Sequence, residues 1–176
     1  MEINSTLTVR PAVKEDTESI LRIYNQGIED RMATLETGLK DTAYIESWFQ
    51  DHQGRFSVLV AEQEDSVIGW ASLNPYSHRC AYSGVADLSV YIERSVRGQG
   101  IGNALLEKLE AAAQDNAFHK IVLFTFSFND AGQGLYRKMG YREVGVFEKQ
   151  GVRDGAFIDV MVMEKLLFPH QLRSLP

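Results

Sequence analysis

Arg97, Gly98, Gln99, Gly100, Ile101 and Gly102 form a glycine-rich run set between a strand pattern and a helix pattern. Upstream, Leu88, Ser89, Val90, Tyr91 and Ile92 have the short, β-branched and aromatic character of a strand. Downstream, Ile101, Leu105 and Leu109 recur every four residues with Ala104, Ala112 and Ala113 beside them, the spacing of one buried helical face. The glycines therefore open a helix. Its first turn presents backbone N–H groups with no intrahelical partner, and the positive end of the helix dipole favours an anion there. Glycine lets that backbone approach phosphate oxygens without a Cβ in the way. The run is a candidate pyrophosphate cradle reaching from Gly98 to Asn103, with a glycine turn that holds no ligand as the alternative.

Spacing separates the kinds of phosphate site. A dinucleotide fingerprint needs glycines in first, third and sixth places, and counted from Gly98 the sixth is Asn103. A Walker A loop needs Gly-Lys followed by Ser or Thr, which occurs nowhere in the chain. Arg97, Gly100 and Gly102 instead resemble the acyl-CoA signature of the GNAT N-acetyltransferases: Gln or Arg, two residues, Gly, any residue, then Gly or Ala. Further on, Ile121 to Phe126 is a continuous apolar run, the pattern of a buried central strand. Asn129 and then Leu135, Tyr136, Arg137, Lys138, Met139, Gly140 and Tyr141 resemble the second signature of the same superfamily. Gly140 is expected as a left-handed helix C-cap.

Composition limits the classes of function. A chain of 176 residues with 44% hydrophobic content is sized for a single domain over 1–176, with a core over about 8–167 and a loosely ordered tail over 168–176. It has no apolar run of about 18 residues and no basic, apolar leader, so the expectation is a cytoplasmic protein with no membrane partner. One cysteine, Cys80, and four scattered histidines indicate neither disulfide nor metal. A net charge of -6 argues against a nucleic-acid surface and favours a small-molecule or peptide substrate.

The remaining segments predict an α/β chain. Thr8 to Arg10 starts as a strand, and Asp16 is a plausible N-cap for a helix burying Ile20, Ile23, Tyr24 and Ile28. A second helix begins near Asp41 or Thr42 and buries Ile45, Trp48 and Phe49. Phe56 to Ala61 and Val67 to Leu73 read as an antiparallel hairpin across the polar turn Glu62 to Ser66. Glu143 to Phe147 and Phe157 to Met163 add strands linked by Gly151 to Gly155. The expected architecture is a central mixed, mostly antiparallel twisted sheet with helices on both faces, which the resemblance also implies.

A narrower resemblance covers Val9 to about Leu167. Arg79, Cys80, Ala81 and Tyr82, then Asp87 to Ile92, then Gly151 to Val160 are similar to the phosphinothricin N-acetyltransferase family. Ile23, Tyr24, Asn25, Ile28 and Glu29 fit its opening helix. The resemblance implies acetyl-CoA as donor and a homodimer. It also implies an acceptor α-amine on a small amino-acid analogue such as phosphinothricin, methionine sulfone, methionine sulfoximine or arsinothricin.

Chemistry gives these positions work. An α-amine attacks a thioester only when neutral, and such amines are mostly protonated at neutral pH, so a base is needed. Asp87 stands where the family carries its Glu base; the shorter side chain favours a water relay. An ordinary strand-end acid that binds the ammonium or caps a turn is the alternative. Tyr136 is the candidate acid for the leaving thiolate, or else a core aromatic. By resemblance, backbone groups of Val90, Tyr91 and Ile92 meet the pantetheine arm, with an N–H near Val90 polarising the carbonyl. Gly98, Gln99, Gly100, Ile101, Gly102 and Asn103 take the pyrophosphate after Arg97. Asn129 meets a pantetheine amide or simply caps a helix, and Lys138 joins the cofactor set.

For the acceptor, Arg79 is the best-placed cation for a substrate anion or a plain surface residue, with Ser77, His78 and Tyr82 as neighbours. Leu88 and Ser89 join the substrate set, Glu29 and Thr34 close the pocket, Arg153 is a second cation, and His78 is an alternative base. Two other functions stay open: acetylation of peptide or protein amines, and noncatalytic acyl-CoA sensing.

Overall fold

The computed structural model describes residues 6–167; the expected tail at 168–176 lies outside the described residues. Strand β1 (Thr8–Pro11) leads into α1 (Thr17–Asp30) and α2 (Thr42–Asp51), followed by β2 (Val58–Gln63), β3 (Ser66–Pro75) and β4 (Val85–Ile92). Helix α3 (Ile101–Asp115), β5 (Lys120–Phe126), α4 (Asp130–Lys138), β6 (Arg142–Arg153) and β7 (Ala156–Leu166) complete the order. The strands form one seven-stranded sheet in the order β1-β2-β3-β4-β5-β7-β6. Neighbours are antiparallel except β4 and β5, which run parallel. The mixed, mostly antiparallel sheet and its flanking helices agree with the expected architecture.

Each face of the sheet has its own core. Leu105 and Leu109 of α3 are fully buried against Leu73, Ala86, Leu88, Leu123 and Met163. Ile20 and Ile23 of α1 and Ile45 of α2 cover Val58, Val60 and Trp70 on the opposite face. A fully buried Leu or Ile stabilises a fold by about 1.5–3 kcal/mol, so these two helical stripes account for much of why α1 and α3 hold their positions.

Hairpin turns are tighter than the sequence suggests. Only Glu64 and Asp65, at φ 51° and 58°, turn between β2 and β3, because the ladder continues through Glu62, Gln63 and Ser66. Between β6 and β7 only Asp154 (φ 52°) and Gly155 (φ 75°) turn, whereas Gly151 to Arg153 belong to β6. Irregular register in β6 around Phe147 to Gly151 breaks the alternation that would have revealed a long strand. Asp16 stands at the N-cap of α1 but makes no side-chain cap bond to it; its carboxylate accepts from Val13 N–H at 2.8 Å and from Arg10 at 2.7 and 3.0 Å. Phe124, in the run expected to be buried, is 44% exposed, while its neighbours on the same face, Val122 and Phe126, are buried.

The feature that positions the site is where β4 leaves β5. The parallel ladder consists of Val85↔Lys120, Ala86↔Ile121 and Asp87↔Val122 and goes no further. β4 continues to Ile92 paired with β3, and β5 continues to Phe126 paired with β7. From Leu88 to Ile92, the edge of β4 that faced β5 therefore has no strand partner.

Candidate active site

The glycine run forms the predicted cradle. Gly98 (φ 76°) and Gly100 (φ 84°) are left-handed, and Gly100 is the N-cap of α3. A Cβ at either would meet nothing within 4 Å, so conformation and not crowding requires glycine there. Among the described residues, the backbone N–H groups of Gly98 to Asn103 find no acceptor, as expected for a helix start. Gly102 is glycine for a different reason. A Cβ there would lie 2.8 Å from Leu135 Cδ2, so its absence allows α3 and α4 to close together. The Arg97 guanidinium pairs with Asp30 at 2.6 Å, and its Nε donates to the Ile92 carbonyl at 3.1 Å, tying the run to α1 and β4. Arg94 and Arg97 together hold the Asp30 carboxyl below its usual range.

These groups line a cleft of about 480 Å³ that also takes in Val90, Tyr91 and Ile92, then Asn129, Leu135, Tyr136 and Lys138. Gly27, Met32 and Ala33 close it from α1 and the loop beyond. Asn129 is both a helix cap and a lining residue: Oδ1 accepts from Gly132 N–H at 3.0 Å, and Nδ2 donates to Thr125 Oγ1 at 3.3 Å. Gly140 (φ 90°) ends α4 as expected, with its own N–H donating to Arg137 O and that of Tyr141 to Tyr136 O. A long apolar cleft, a free strand edge at one end and unpartnered helix-start amides at the other suit an acyl carrier with a pyrophosphate.

A second cavity of about 280 Å³ adjoins the first, and Tyr91 lines both. Its walls are Tyr24, Tyr44, Trp48 and Trp70, with Asp87, Ser89, Asn74 and His52 as polar lining. Burial pushes the Asp87 carboxyl up to about 7, against hydrogen bonds from Asn74 and the Leu88 backbone that pull it down. Tyr136 is pushed above the usual phenol range by burial and then by the Asp87 charge, so it stays protonated and keeps a hydrogen to donate. The Asp87 charge thus reaches Tyr136, although the carboxyl lines the smaller cavity and the phenol the larger cleft. Tyr91 is held there by Trp70, stacked at 5.0 Å, and by Tyr24, edge-on at 5.1 Å.

The other candidates disperse. Ser89 lines the second cavity, but the Leu88 side chain is buried in the α3-side core. Gln99 is absent from the lining of the larger cleft. Ser77, His78 and Arg79 line neither cavity: the Ser77 hydroxyl accepts from Arg79 N–H at 3.2 Å, and His78 and Arg79 are exposed. Glu29 pairs with Arg94 on the surface, while Thr34 stands beside the Tyr24 and Tyr91 hydroxyls. The Arg153 guanidinium donates to Arg31 O at 2.8 Å and Thr34 O at 3.3 Å, fastening the loop after α1 instead of standing free for an anion. Asn74, His52 and Trp70 are site residues that the sequence reading does not single out, and Trp48, expected as a buried residue of α2, also lines the cavity; aromatic density in α2 and β3 is the signal for the two tryptophans alone.

The family model described as the acetyltransferase (GNAT) family matches residues 20–141. The chain belongs to the GNAT acetyltransferases. Over 162 residues the acetyltransferase is 31% identical to a Bacillus subtilis protein provisionally named phosphinothricin acetyltransferase, covering 92% of this chain and 99% of that one. It is 29% identical over 171 residues to an L-methionine sulfoximine/L-methionine sulfone acetyltransferase of Pseudomonas aeruginosa, covering 96% and 98%. A Sinorhizobium meliloti phosphinothricin acetyltransferase, solved in complex with acetyl-CoA, superposes with a TM-score of 0.86 at 28% identity, covering 92% of this chain and 88% of that one. The acetyltransferase uses acetyl-CoA, and the cleft residues above fit that donor.

Proposed function

We propose that this acetyltransferase moves the acetyl group of acetyl-CoA onto the α-amine of a small amino-acid-like substrate by direct attack while both are bound. The observation that carries this reading is Asp87, a half-buried carboxyl in the smaller cavity at the point where β4 parts from β5. The names of the relatives support the substrate class, and no lysine or arginine is among the lining residues of the smaller cavity.

Bound acetyl-CoA supplies an activated thioester. The chain supplies the rest. The free edge of β4 at Val90 to Ile92 receives the arm, and the amides of Gly98 to Asn103 receive the pyrophosphate. Asp87 takes the ammonium proton directly or through one water, and a carboxyl tuned to about 7 is suited to that near neutral pH. The Tyr136 hydroxyl donates to the departing sulfur. In the smaller cavity the Ser89 hydroxyl offers a neutral donor to the substrate's oxygens. The reading also takes 1–176 as one catalytic domain, paired as a homodimer.

Thiol release from acetyl-CoA, measured with phosphinothricin, methionine sulfone, methionine sulfoximine, arsinothricin and short peptides as acceptors, tests the reading. Faster release with an amino-acid analogue supports it. Acetyl-CoA binding with no acceptor that accelerates release overturns it, and preference for peptides moves the function to protein acetylation.

A further inference from the structure

We propose that His52, at the C-cap of α2, is a positioning residue for Asp87: acting through the Asn74 side chain, it decides which end of that amide meets the carboxylate. The proposal rests on Asp87 being the base. His52 Nδ1 lies 2.8 Å from the Trp48 carbonyl oxygen, and Nε2 lies 2.8 Å from Asn74 Oδ1. A carbonyl oxygen only accepts, so Nδ1 carries a hydrogen. Asn74 Oδ1 also only accepts, so in this arrangement Nε2 carries one too.

The rest of the Asn74 amide is equally committed. Ser72 Oγ donates to Oδ1 at 2.9 Å, and Nδ2 donates to Ser89 Oγ at 3.0 Å. Asn74 stands directly across the β3–β4 ladder from Asp87, lines the same cavity, and pulls the carboxyl down against burial. With Oδ1 accepting from His52 and Ser72, the amide nitrogen is turned to β4, bonded to Ser89 and on the side of Asp87. An ionised Asp87 requires that orientation, since a carboxylate can only accept.

Turning the amide over would set Asn74 Nδ2 against His52 and Oδ1 against Asp87. That arrangement is satisfied only when Nε2 has lost its hydrogen and Asp87 has gained one. Donation from Nε2 therefore holds the amide nitrogen toward β4, and loss of that donor frees the amide to turn. Other groups act on Asp87 as well: burial favours its protonated form and the Leu88 backbone N–H its ionised form. Asp87 also faces Ser89 and Tyr91 of its own strand and Tyr136 of α4, while His52 faces the Trp48 ring at 4.3 Å. Tyr24 and Tyr44 complete the wall from α1 and α2.

The test is the pH profile of kcat/KM for the best acceptor at saturating acetyl-CoA, in the wild type, Asp87→Asn, His52→Gln and His52→Phe. Gln retains an N–H for Asn74 Oδ1 without titrating, so His52→Gln keeps the wild-type acidic limb and stays within about threefold in rate. His52→Phe removes that donor; the acidic limb moves up by roughly half to one pH unit and kcat falls about tenfold, with KM for acetyl-CoA unchanged. An unshifted limb in His52→Phe overturns the proposal, and so does an equal shift in both His52 variants. If His52→Phe does not fold, Asn74→Leu carries the same expectation and the same refutation. A wild-type acidic limb in Asp87→Asn refutes the base assignment itself, which keeps the two failures distinguishable.

Discussion

Gly27 of α1 lies against the ring of Tyr91, so that a Cβ on Gly27 would stand 2.7 Å from Cδ1 and 2.8 Å from Cε1. Glycine inside a helix costs about 1 kcal/mol relative to alanine, and here that cost allows α1 to seat directly on β4. Tyr91 cannot move aside, being fixed by Trp70 and Tyr24, and it forms the wall common to both cavities.

Gly27→Ala is therefore expected to destabilise despite its better helix propensity. Overpacking of this kind costs about 1–3 kcal/mol, of which the propensity gain returns about 1. The melting temperature should fall, and KM should rise for acetyl-CoA and acceptor together. A variant as stable as the wild type with both KM values unchanged would show that the helix moves freely away from β4.

Asp87→Asn tests the base. The acidic limb of the wild-type profile should lie near 7, where the carboxyl ionises, with activity rising as pH rises. In the variant, kcat/KM should drop by about 10²–10⁴-fold, the limb should vanish, and the optimum should move upward because free amine must come from solution.

Stability gives a second readout with a defined sign. Folding raises Asp87 from 3.8 to about 7, so between those values the folded chain holds a proton that the unfolded chain lacks. Its contribution is most favourable below the lower value and is lost as pH rises through the upper one. Asp16, Asp30 and Glu164 are held low by ion pairs and act in the opposite direction, losing stability as pH falls. The difference between wild type and Asp87→Asn isolates one group: relative to wild type, the variant should gain stability as pH rises from about 4 to about 7. Parallel melting curves across that range would contradict a buried carboxyl.

What the sequence disclosed followed from local geometry. Gly98, Gly100 and Gly140 occupy left-handed positions that few other residues tolerate, and Ile101, Leu105 and Leu109 carry the helical period, so the cradle and its helix were legible together. Strand alternation already sets Asp87 and Ser89 on one face and Leu88 on the other, so the inward packing of Leu88 was recoverable from period alone. Arg79 has the charge and the motif position of an anion partner, yet it stands exposed just before the short turn Cys80–Tyr82. His52 and Asn74 had no local sign at all. A histidine ending a helix and an asparagine near a strand end are ordinary residues until α2 crosses β3 and brings them to 2.8 Å.

The uncrowded and crowded glycines of the cradle should respond differently to a methyl group. Gly100→Ala meets no atom but must adopt φ 84°, a conformation that costs a residue with a Cβ about 1–2 kcal/mol and that turns the amides of the first helical turn. Its main effect should be a higher KM for acetyl-CoA with little change in kcat. Gly102→Ala keeps a helical backbone but drives a methyl into Leu135, so its main effect should be a lower melting temperature. Identical behaviour of the two variants in calorimetry and kinetics would remove the distinction.

Tyr136→Phe separates proton donation from packing. The ring lies edge-on to Tyr141 at 5.9 Å, a contact that Phe preserves, and its backbone carbonyl still accepts the Tyr141 N–H that closes α4. Loss of the hydroxyl alone should thus change stability by no more than about 1 kcal/mol while lowering kcat by about 10²-fold. Because that hydroxyl acts on the departing sulfur, a donor whose leaving thiol is more acidic than that of coenzyme A should recover much of the lost rate in the variant. Equal losses with both thioesters would place Tyr136 among the residues that shape the cleft and leave the thiolate to depart without a proton from α4.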